Sequence, residues 1–373
     1  MYVIATSLFT LVKFNFTLAT YLFQLYMLIQ FSLLLLLFIE PKRRVFRRLS
    51  KEMITEFFTY TDEDHSELLR KLRTDLWTEK KMFLLLPALL CFIGASCMLL
   101  CPYLDSQFGD MGFNTTEVGV FTDTPIPAIY PFSITKENRS FYFYVLTLLQ
   151  AYSAVFVVSL IASGTLICIT FVFEYNLHLS YLIACLDNLE ERATGHFSRT
   201  WAEGRPGRVD LLYADPRFQA SFKKCLKKNF SHHQKLLEWI SLVQDLFKWP
   251  VGFAYSTGTV VIALSLLSTK TGTSLPGTAF ISFMMCILEI GIMGMISILG
   301  QRVTDLNEDL RRSVYNMKWY FNNSNIKSDI TIFQEMSLRP VELKGFGLVT
   351  CNLETFSNVI NSAYSYYNLI MAV

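Results

Sequence analysis

Charged residues are scarce in this 373-residue chain. They make up 17% of the sequence, against 52% hydrophobic residues, whereas soluble domains carry about 25% charged residues. Basic and acidic residues nearly cancel, 33 against 31, and leave a net charge of +2. No basic patch forms a face suited to nucleic acid. The composition therefore indicates a membrane protein and gives no support to a nucleic-acid partner.

Motifs of the common enzyme and metal sites are also absent from the sequence. The eight cysteines form no CxxC pair, and four of them lie inside apolar runs, where cysteine behaves as a small hydrophobic residue. The chain has no HExxH, GxSxG or P-loop motif. His232 and His233 are adjacent, so on a helix they diverge by about 100° and cannot share one metal ion. We therefore expect no disulfide scaffold, no enzyme site, no metal site and no cofactor.

Long apolar runs dominate what is present. A bilayer core about 30 Å thick needs roughly 20 apolar helical residues. We expect an all-α fold, a polytopic membrane helical bundle with cytoplasmic helical extensions. Residues 1–39 are slightly too short for two crossings, so 1–12 is interpreted as a truncated first span of a seven-span protein, with an external turn at Asn15. Six regions reach the required length with at most one charge: Phe14–Ile39, Met82–Tyr103, Phe141–Phe173, Trp249–Thr269, Thr278–Gln301 and Gly345–Val373.

Lysine and arginine are distributed unevenly between the loops. Segments 40–81, 174–244 and 302–344 hold 11, 10 and 7 of them, whereas 104–140 holds only two. Because cytoplasmic loops retain cations, the first three segments are predicted to be cytoplasmic and the C-terminus external. With seven spans, the N-terminus is cytoplasmic. Two glycosylation sequons, at Asn114 and Asn138, fall in the external loop and give mild support to this orientation, whereas those at Asn229 and Asn322 fall on the cytoplasmic side and should be unused.

The predicted division of the chain follows these spans. Within the first cytoplasmic extension, leucines at +3 and +4 spacing from Leu179 to Leu189 predict a helix that continues past its span. The stretch from Thr194 to Pro216 is rich in glycine and proline and predicts a loose loop. The parts are N-terminal membrane helices with external loop 104–140 (1–173), a cytoplasmic helical extension and loop (174–248), a membrane helix pair (249–301), cytoplasmic anchor helices (302–344) and the last helix (345–373).

The last span carries an ordered row of polar residues, which we call the polar stripe. An amide without a partner costs several kcal/mol in hydrocarbon, so this face must meet protein or water. A polar seam between two helices and the wall of an aqueous pore explain the pattern equally well. The stripe steps by +4, +3, +4 and +3 along one helical face and comprises Glu354, Asn358, Asn361, Ser365 and Asn368.

Aromatic residues are abundant, with 32 Phe and 18 Tyr, and many lie in the external halves of the predicted spans. Such residues commonly form interface belts, but they can also enclose a small apolar guest. Ser96 or Thr147 could donate a hydrogen bond to it, and Met27 and Met284 could adapt to its shape. Glu289 is a separate candidate, because an ionisable residue inside a span faces a cavity, a partner helix or water. The candidate pocket set is Phe23, Tyr26, Phe92, Ser96, Tyr144, Leu148, Tyr152, Phe280 and Phe283.

Several motifs follow one another in the C-terminal third. They are Trp319, Ser337-Leu338-Arg339-Pro340, Gly345-Phe346-Gly347, Leu353-Glu354-Thr355-Phe356 and Ala363-Tyr364-Ser365-Tyr366-Tyr367. This order of motifs resembles the closing region of insect odorant receptors of the ligand-tuning class. That region has a cytoplasmic helix, a break at an Arg-Pro pair and a last span ending in Tyr-Ser-aromatic. The spacing of the other spans and the external C-terminus agree with this resemblance over most of the chain.

The resemblance implies a seven-helix, odorant-gated cation channel in the plasma membrane of olfactory sensory neurons. It implies a heterotetramer with a co-receptor subunit, joined through the cytoplasmic helices. Volatile apolar odorants would bind among the external halves of the earlier spans. The last span would line the pore through Asn358, Asn361, Ser365 and Asn368, with Leu369 or Ala372 as gate residues.

Two other classes of receptor fit the sequence less well. A gustatory-receptor-like channel shares the architecture, but its closing pattern fits poorly where Ile370 and Met371 stand. A G-protein-coupled receptor requires an internal C-terminus, opposite to the orientation that the basic loops predict.

Overall fold

The computed structural model describes residues 2–372 except 14, 56, 59, 61–65, 111–118, 133, 136 and 202–208. The described chain is almost entirely helical, which confirms the predicted all-α class. A two-stranded antiparallel hairpin, β1 (Lys344–Gly345) and β2 (Val349–Thr350), precedes the last helix. The α-helices are α1 (Tyr2–Leu11), α2 (Phe16–Ile39), α3 (Arg43–Ile54), α4 (Ser66–Phe108), α5 (Arg139–Asp187), α6 (Leu189–Trp201), α7 (Val209–Ala214), α8 (Pro216–Thr271), α9 (Pro276–Asn316), α10 (Ser324–Ser337) and α11 (Leu353–Ala372).

Helices begin at residues whose side chains can cap them. The Asn15 side chain accepts a hydrogen bond from the Leu18 amide and starts α2 after the turn that the sequence predicts there. Asp215 caps α8, with proline at its first helical position, and Asn323 and Asn352 cap α10 and α11. These side chains satisfy amide groups that have no partner within the helix.

Among the residues that the structure describes, five helical segments are long and apolar enough to cross a membrane: Phe16–Ile54, Glu67–Phe108, Arg139–Asp187, Pro216–Ser274 and Pro276–Phe321. They cover the first five predicted spans, the first of them from Phe16 onwards. The last helix, α11, has 20 residues, which is enough for a crossing. Its many polar residues make it less hydrophobic than the five segments above. The sixth predicted span was wrong at its start, because β1, β2 and their turn occupy the residues before α11.

Four of the membrane helices continue far beyond a bilayer, among them α4 with 43 residues. Helices α5, α8 and α9 have 49, 56 and 41 residues, which at 1.5 Å per residue is about 60–85 Å. The predicted boundaries at 173, 248 and 301 fall inside these continuous helices. The predicted cytoplasmic extensions are therefore continuous with the membrane helices.

The helical extensions share one hydrophobic core with the membrane helices. The leucine row from Leu179 to Leu189 is buried, together with Phe218, Phe222 and Trp239 of α8. The predicted loop at 194–216 was partly wrong, because α6 continues to Trp201 and α7 covers Val209–Ala214. Burial of α6 against α8 stabilises helix where glycine and proline predict a break.

The hairpin before α11 is fixed to the cytoplasmic half of α8. The Phe346 amide donates to the Lys248 carbonyl at 2.6 Å, and the Lys344 amide donates to the Gln244 side chain at 2.9 Å. A Cβ on Gly252 would lie 2.5 Å from the Phe346 ring, so only glycine allows this approach. Phe346 itself has a positive φ of 55°, a conformation that costs about 1–3 kcal/mol. The hydrogen bond from the Phe346 amide to Lys248 and the contact between the Phe346 ring and Gly252 hold the turn. The position of this turn sets where α11 begins.

The outer ends of the helices are joined by buried polar contacts. The Asp105 carboxylate of α4 accepts hydrogen bonds from the Gly277 amide at 2.6 Å and the Thr278 hydroxyl at 2.6 Å, at the start of α9. The Gln24 side chain of α2 donates to the Ser268 hydroxyl of α8 at 3.1 Å. Such interhelical bonds help to hold helices together in lipid.

Candidate channel face and ligand cavities

The polar stripe lies on the outside of the chain's own helical bundle. On the opposite side of α11, Ala363 is fully buried, and Phe356, Val359 and Ile360 pack against the core. All five residues of the polar stripe are exposed. Helix α11 is thus held against α8 and α9 by its apolar face and presents the polar stripe away from them.

The amides of the polar stripe, Asn358, Asn361 and Asn368, form no side-chain hydrogen bond with the part of the chain that the structure describes. The Ser365 hydroxyl donates to the Asn361 carbonyl of its own helix at 2.8 Å. The stripe is therefore not a seam between helices of this chain. Unpaired amides are too costly to face lipid, so the surface requires water or another subunit.

A narrow cavity of about 50 Å³ lies inside the bundle between α2, α5, α8 and α9. Pro250 lines it from α8 and is one of several apolar residues around it. The polar lining residues are Thr165, Cys168, Thr257 and Glu289. Flexible methionines, Met27 and Met293, form part of the wall, so the cavity can change shape. It lies deeper than the external halves where the sequence predicts a pocket.

A second, wider groove of about 460 Å³ lies between the outer ends of α4 and α5. Arg139 donates two hydrogen bonds to the Asp123 carboxylate, at 2.8 and 2.9 Å, and this ion pair forms part of the lining. Tyr144 and Thr147 line the groove from α5. The Thr147 hydroxyl is buried and has no hydrogen-bond partner in the described part of the chain. This volume falls within the ~300–1,000 Å³ range of small-molecule pockets.

The structure does not gather the candidate pocket set around one cavity. Four members, Phe92, Tyr144, Leu148 and Tyr152, are 71–76% exposed on the outer surface of α4 and α5. The α5 members repeat every four residues and share a face opposite the buried Leu146 and Gln150.

The other members of the set are also dispersed. Phe280 and Phe283 are 40% and 46% exposed on α9. Phe23 and Tyr26 stack on each other with ring centroids 6.4 Å apart, and the Ser96 hydroxyl donates to the Phe92 carbonyl. Their roles in ligand binding stay predictions.

The two adjacent histidines are buried in the cytoplasmic core. The His232 ring stacks on Phe58 with centroids 4.5 Å apart, and its Nδ1 lies 3.0 Å from the Tyr60 hydroxyl. His233 packs on Phe333 instead. Within the described ranges, no group of three His, Cys, Asp or Glu side chains could hold a metal ion. The sequon at Asn114 lies outside the described residues.

Five long apolar helices that share one hydrophobic core, followed by a polar-faced last helix, define a multi-pass helical membrane protein. The family described as 7tm Odorant receptor matches residues 1–364. The chain belongs to this odorant receptor family, as the C-terminal motifs predict.

Individual proteins support the same assignment. Odorant receptor 49a of Drosophila melanogaster is 28% identical over 91 residues, which cover 24% of this chain and 23% of that protein. The match thus spans about a quarter of the length of that relative. The olfactory receptor OR5 of Machilis hrabei in complex with eugenol superposes with a TM-score of 0.73 at 14% identity, covering 96% of this chain and 82% of OR5. OR5 without that ligand gives 0.70, again at 14% identity. These likenesses at 14% identity establish the shared fold.

Proposed function

We propose that this chain is an odorant-binding subunit of a cation channel that assembles with a co-receptor subunit in the plasma membrane of olfactory sensory neurons. Membership of the odorant receptor family supports this function. In this proposal α11 lines the pore with Asn358, Asn361, Ser365 and Asn368, and Leu369 or Ala372 forms the gate. The C-terminus is then external and the N-terminus cytoplasmic.

The observation that carries the proposal is the exposure of the polar stripe. Three amides point away from the bundle while the other side of α11 is fixed to α8 and α9. Equivalent helices from several subunits, arranged in a ring, would place these amides around water. The polar surface that is unfavourable in lipid would then coordinate hydrated ions.

A physical link between ligand and pore runs through α9. One side of α9 lines the inner cavity with Glu289, Ile292 and Met293. Its neighbouring side supports α11, because a Cβ on Gly294 would lie 3.5 Å from the Phe356 ring. A ligand that binds the cavity better when α9 has shifted would favour the open arrangement of α11, and only such differential affinity can open the channel.

Odorants are proposed to contact the outer half of the bundle first. Tyr144 and Thr147 of the outer groove are the best placed, because the groove is wide and the Thr147 hydroxyl lacks a partner among the described residues. The rest of the candidate pocket set stays part of this proposal.

The test replaces Asn361 with aspartate in the chain expressed with a co-receptor subunit. A unit charge about 5 Å from a permeating cation lowers its energy by about 0.8 kcal/mol in water, a roughly fourfold enrichment. Asn361→Asp should therefore raise the permeability to cations over anions in odorant-evoked currents. Asn325→Asp, which adds the same charge on the exposed surface of α10, is the matched control. Equal ion selectivity in both variants and the unchanged chain would refute the pore assignment.

A further inference from the structure

The inner cavity contains one carboxyl group with no counter-charge. Glu289 lies on α9 in the middle of a membrane-spanning helix and lines the cavity. No other lining residue is charged. In the described part of the chain, Glu289 forms no ion pair and no hydrogen bond. An ionised carboxylate in apolar surroundings is costly unless it is paired.

The nearby hydroxyl groups cannot satisfy this carboxylate. The Thr257 hydroxyl donates to the Phe253 carbonyl at 2.6 Å, and the Thr165 hydroxyl donates to the Ile161 carbonyl at 2.9 Å. Each hydroxyl has a single proton, so both donors are already used within their own helices. The cavity therefore offers a ligand one strong acceptor and an apolar wall.

The backbone of α8 leaves room beside the carboxyl group. A Cβ on Gly258 would lie 3.4 Å from Oε2 of Glu289 and 2.6 Å from Sδ of Met293. A side chain at this position would displace Met293 and would be in van der Waals contact with the Glu289 carboxylate. The close approach places the carboxylate in the cavity wall rather than at the membrane surface.

We infer that this cavity recognises a small protonated amine, with its ammonium group paired to Glu289 and its alkyl part among Met27, Ile292 and Met293. This deepens the proposed function by naming a ligand class. At 10–15 Å³ for each water-sized sphere, a cavity of about 50 Å³ holds roughly three to five heavy atoms. That size fits a four-carbon primary amine, and larger amines require movement of the methionines.

The experiment compares n-butylammonium with n-butanol, which has nearly the same size and no charge. Binding is measured by calorimetry on the full-length chain in lipid nanodiscs at neutral pH. A charge-assisted hydrogen bond predicts that butylammonium binds roughly 10- to 100-fold more tightly than butanol. Glu289→Gln should remove this preference and leave butanol binding unchanged. Glu354→Gln, which neutralises an exposed acid on α11, should retain it.

Two results would overturn the inference: equal affinity of the unchanged chain for the amine and the alcohol, or a preference that survives in Glu289→Gln. The first comparison needs no variant and is independent of how well the variants fold. Currents separate this inference from the proposed function. Preferential amine binding with no current from any ligand would refute the channel function alone, and currents from neutral odorants without amine preference would refute the amine site alone.

Discussion

Replacing Gln150 with leucine should release the external loop from α5. Gln150 is buried. Its Oε1 accepts a hydrogen bond from the Ile126 amide at 2.8 Å, and its Nε2 lies 3.0 Å from the Ile126 carbonyl and 2.7 Å from the Tyr130 hydroxyl. The loop residues Asp123 and Pro125 line the outer groove, so this clamp also shapes a proposed ligand site.

The size of the effect follows from these bonds. Loss of the two hydrogen bonds between Gln150 and Ile126, at about 1 kcal/mol each, with up to about 2 kcal/mol more for the amide left unpaired, lowers the free energy of local opening at Ile126 by roughly 2–4 kcal/mol. Hydrogen exchange of the Ile126 amide, followed by mass spectrometry, should accelerate roughly 30- to 900-fold, if exchange follows local opening. Gln107→Leu on the exposed outer end of α4 is the control and should change exchange by less than about 0.5 kcal/mol. Unchanged protection of 120–130 in Gln150→Leu would refute the clamp.

Two further predictions concern the cytoplasmic side. Gly252→Ala places a Cβ 2.5 Å from the Phe346 ring, so overpacking should lower the free energy of unfolding by about 1–3 kcal/mol. Thermal unfolding of the protein in nanodiscs measures this change. An unchanged melting temperature would contradict the tight contact between Gly252 and the hairpin. Hydrogen bonds from the Arg217 side chain and amide hold the pKa of Asp215 below its usual range. The α8 cap is thus complete above about pH 4 and is lost as pH falls through the lowered pKa. The rate of proteolysis near residue 215 should rise as pH falls in the unchanged chain, and in Asp215→Asn it should no longer depend on pH. The same pH dependence of proteolysis in both proteins would argue against the charged cap.

Some of this architecture follows from local chemistry. Asn15 and Asp215 cap helices because a side-chain oxygen reaches amides two or three residues ahead. The five apolar spans follow from length and hydropathy. The polar stripe follows from a spacing that any regular helix converts into one face.

Burial between helices could not be predicted in the same way. Helix α5 is apolar on several sides, so its pattern does not reveal that Gln150 faces the loop while Tyr144 and Tyr152 face outwards. The hairpin at 344–350 was missed because its turn depends on Lys248 and Gly252, about 100 positions earlier in the chain. Its only local signal is the pair of glycines around Phe346.

The sequence alone determined the membrane class, the five apolar spans and the single polar face of α11. Those properties depend on composition and on spacing along one helix. The tertiary structure decided that this face points outwards and that Glu289 meets a cavity whose hydroxyl groups are already bonded elsewhere. Whether a side chain is paired or unpaired depends on helices distant in sequence, and periodicity within one helix carries no information about them.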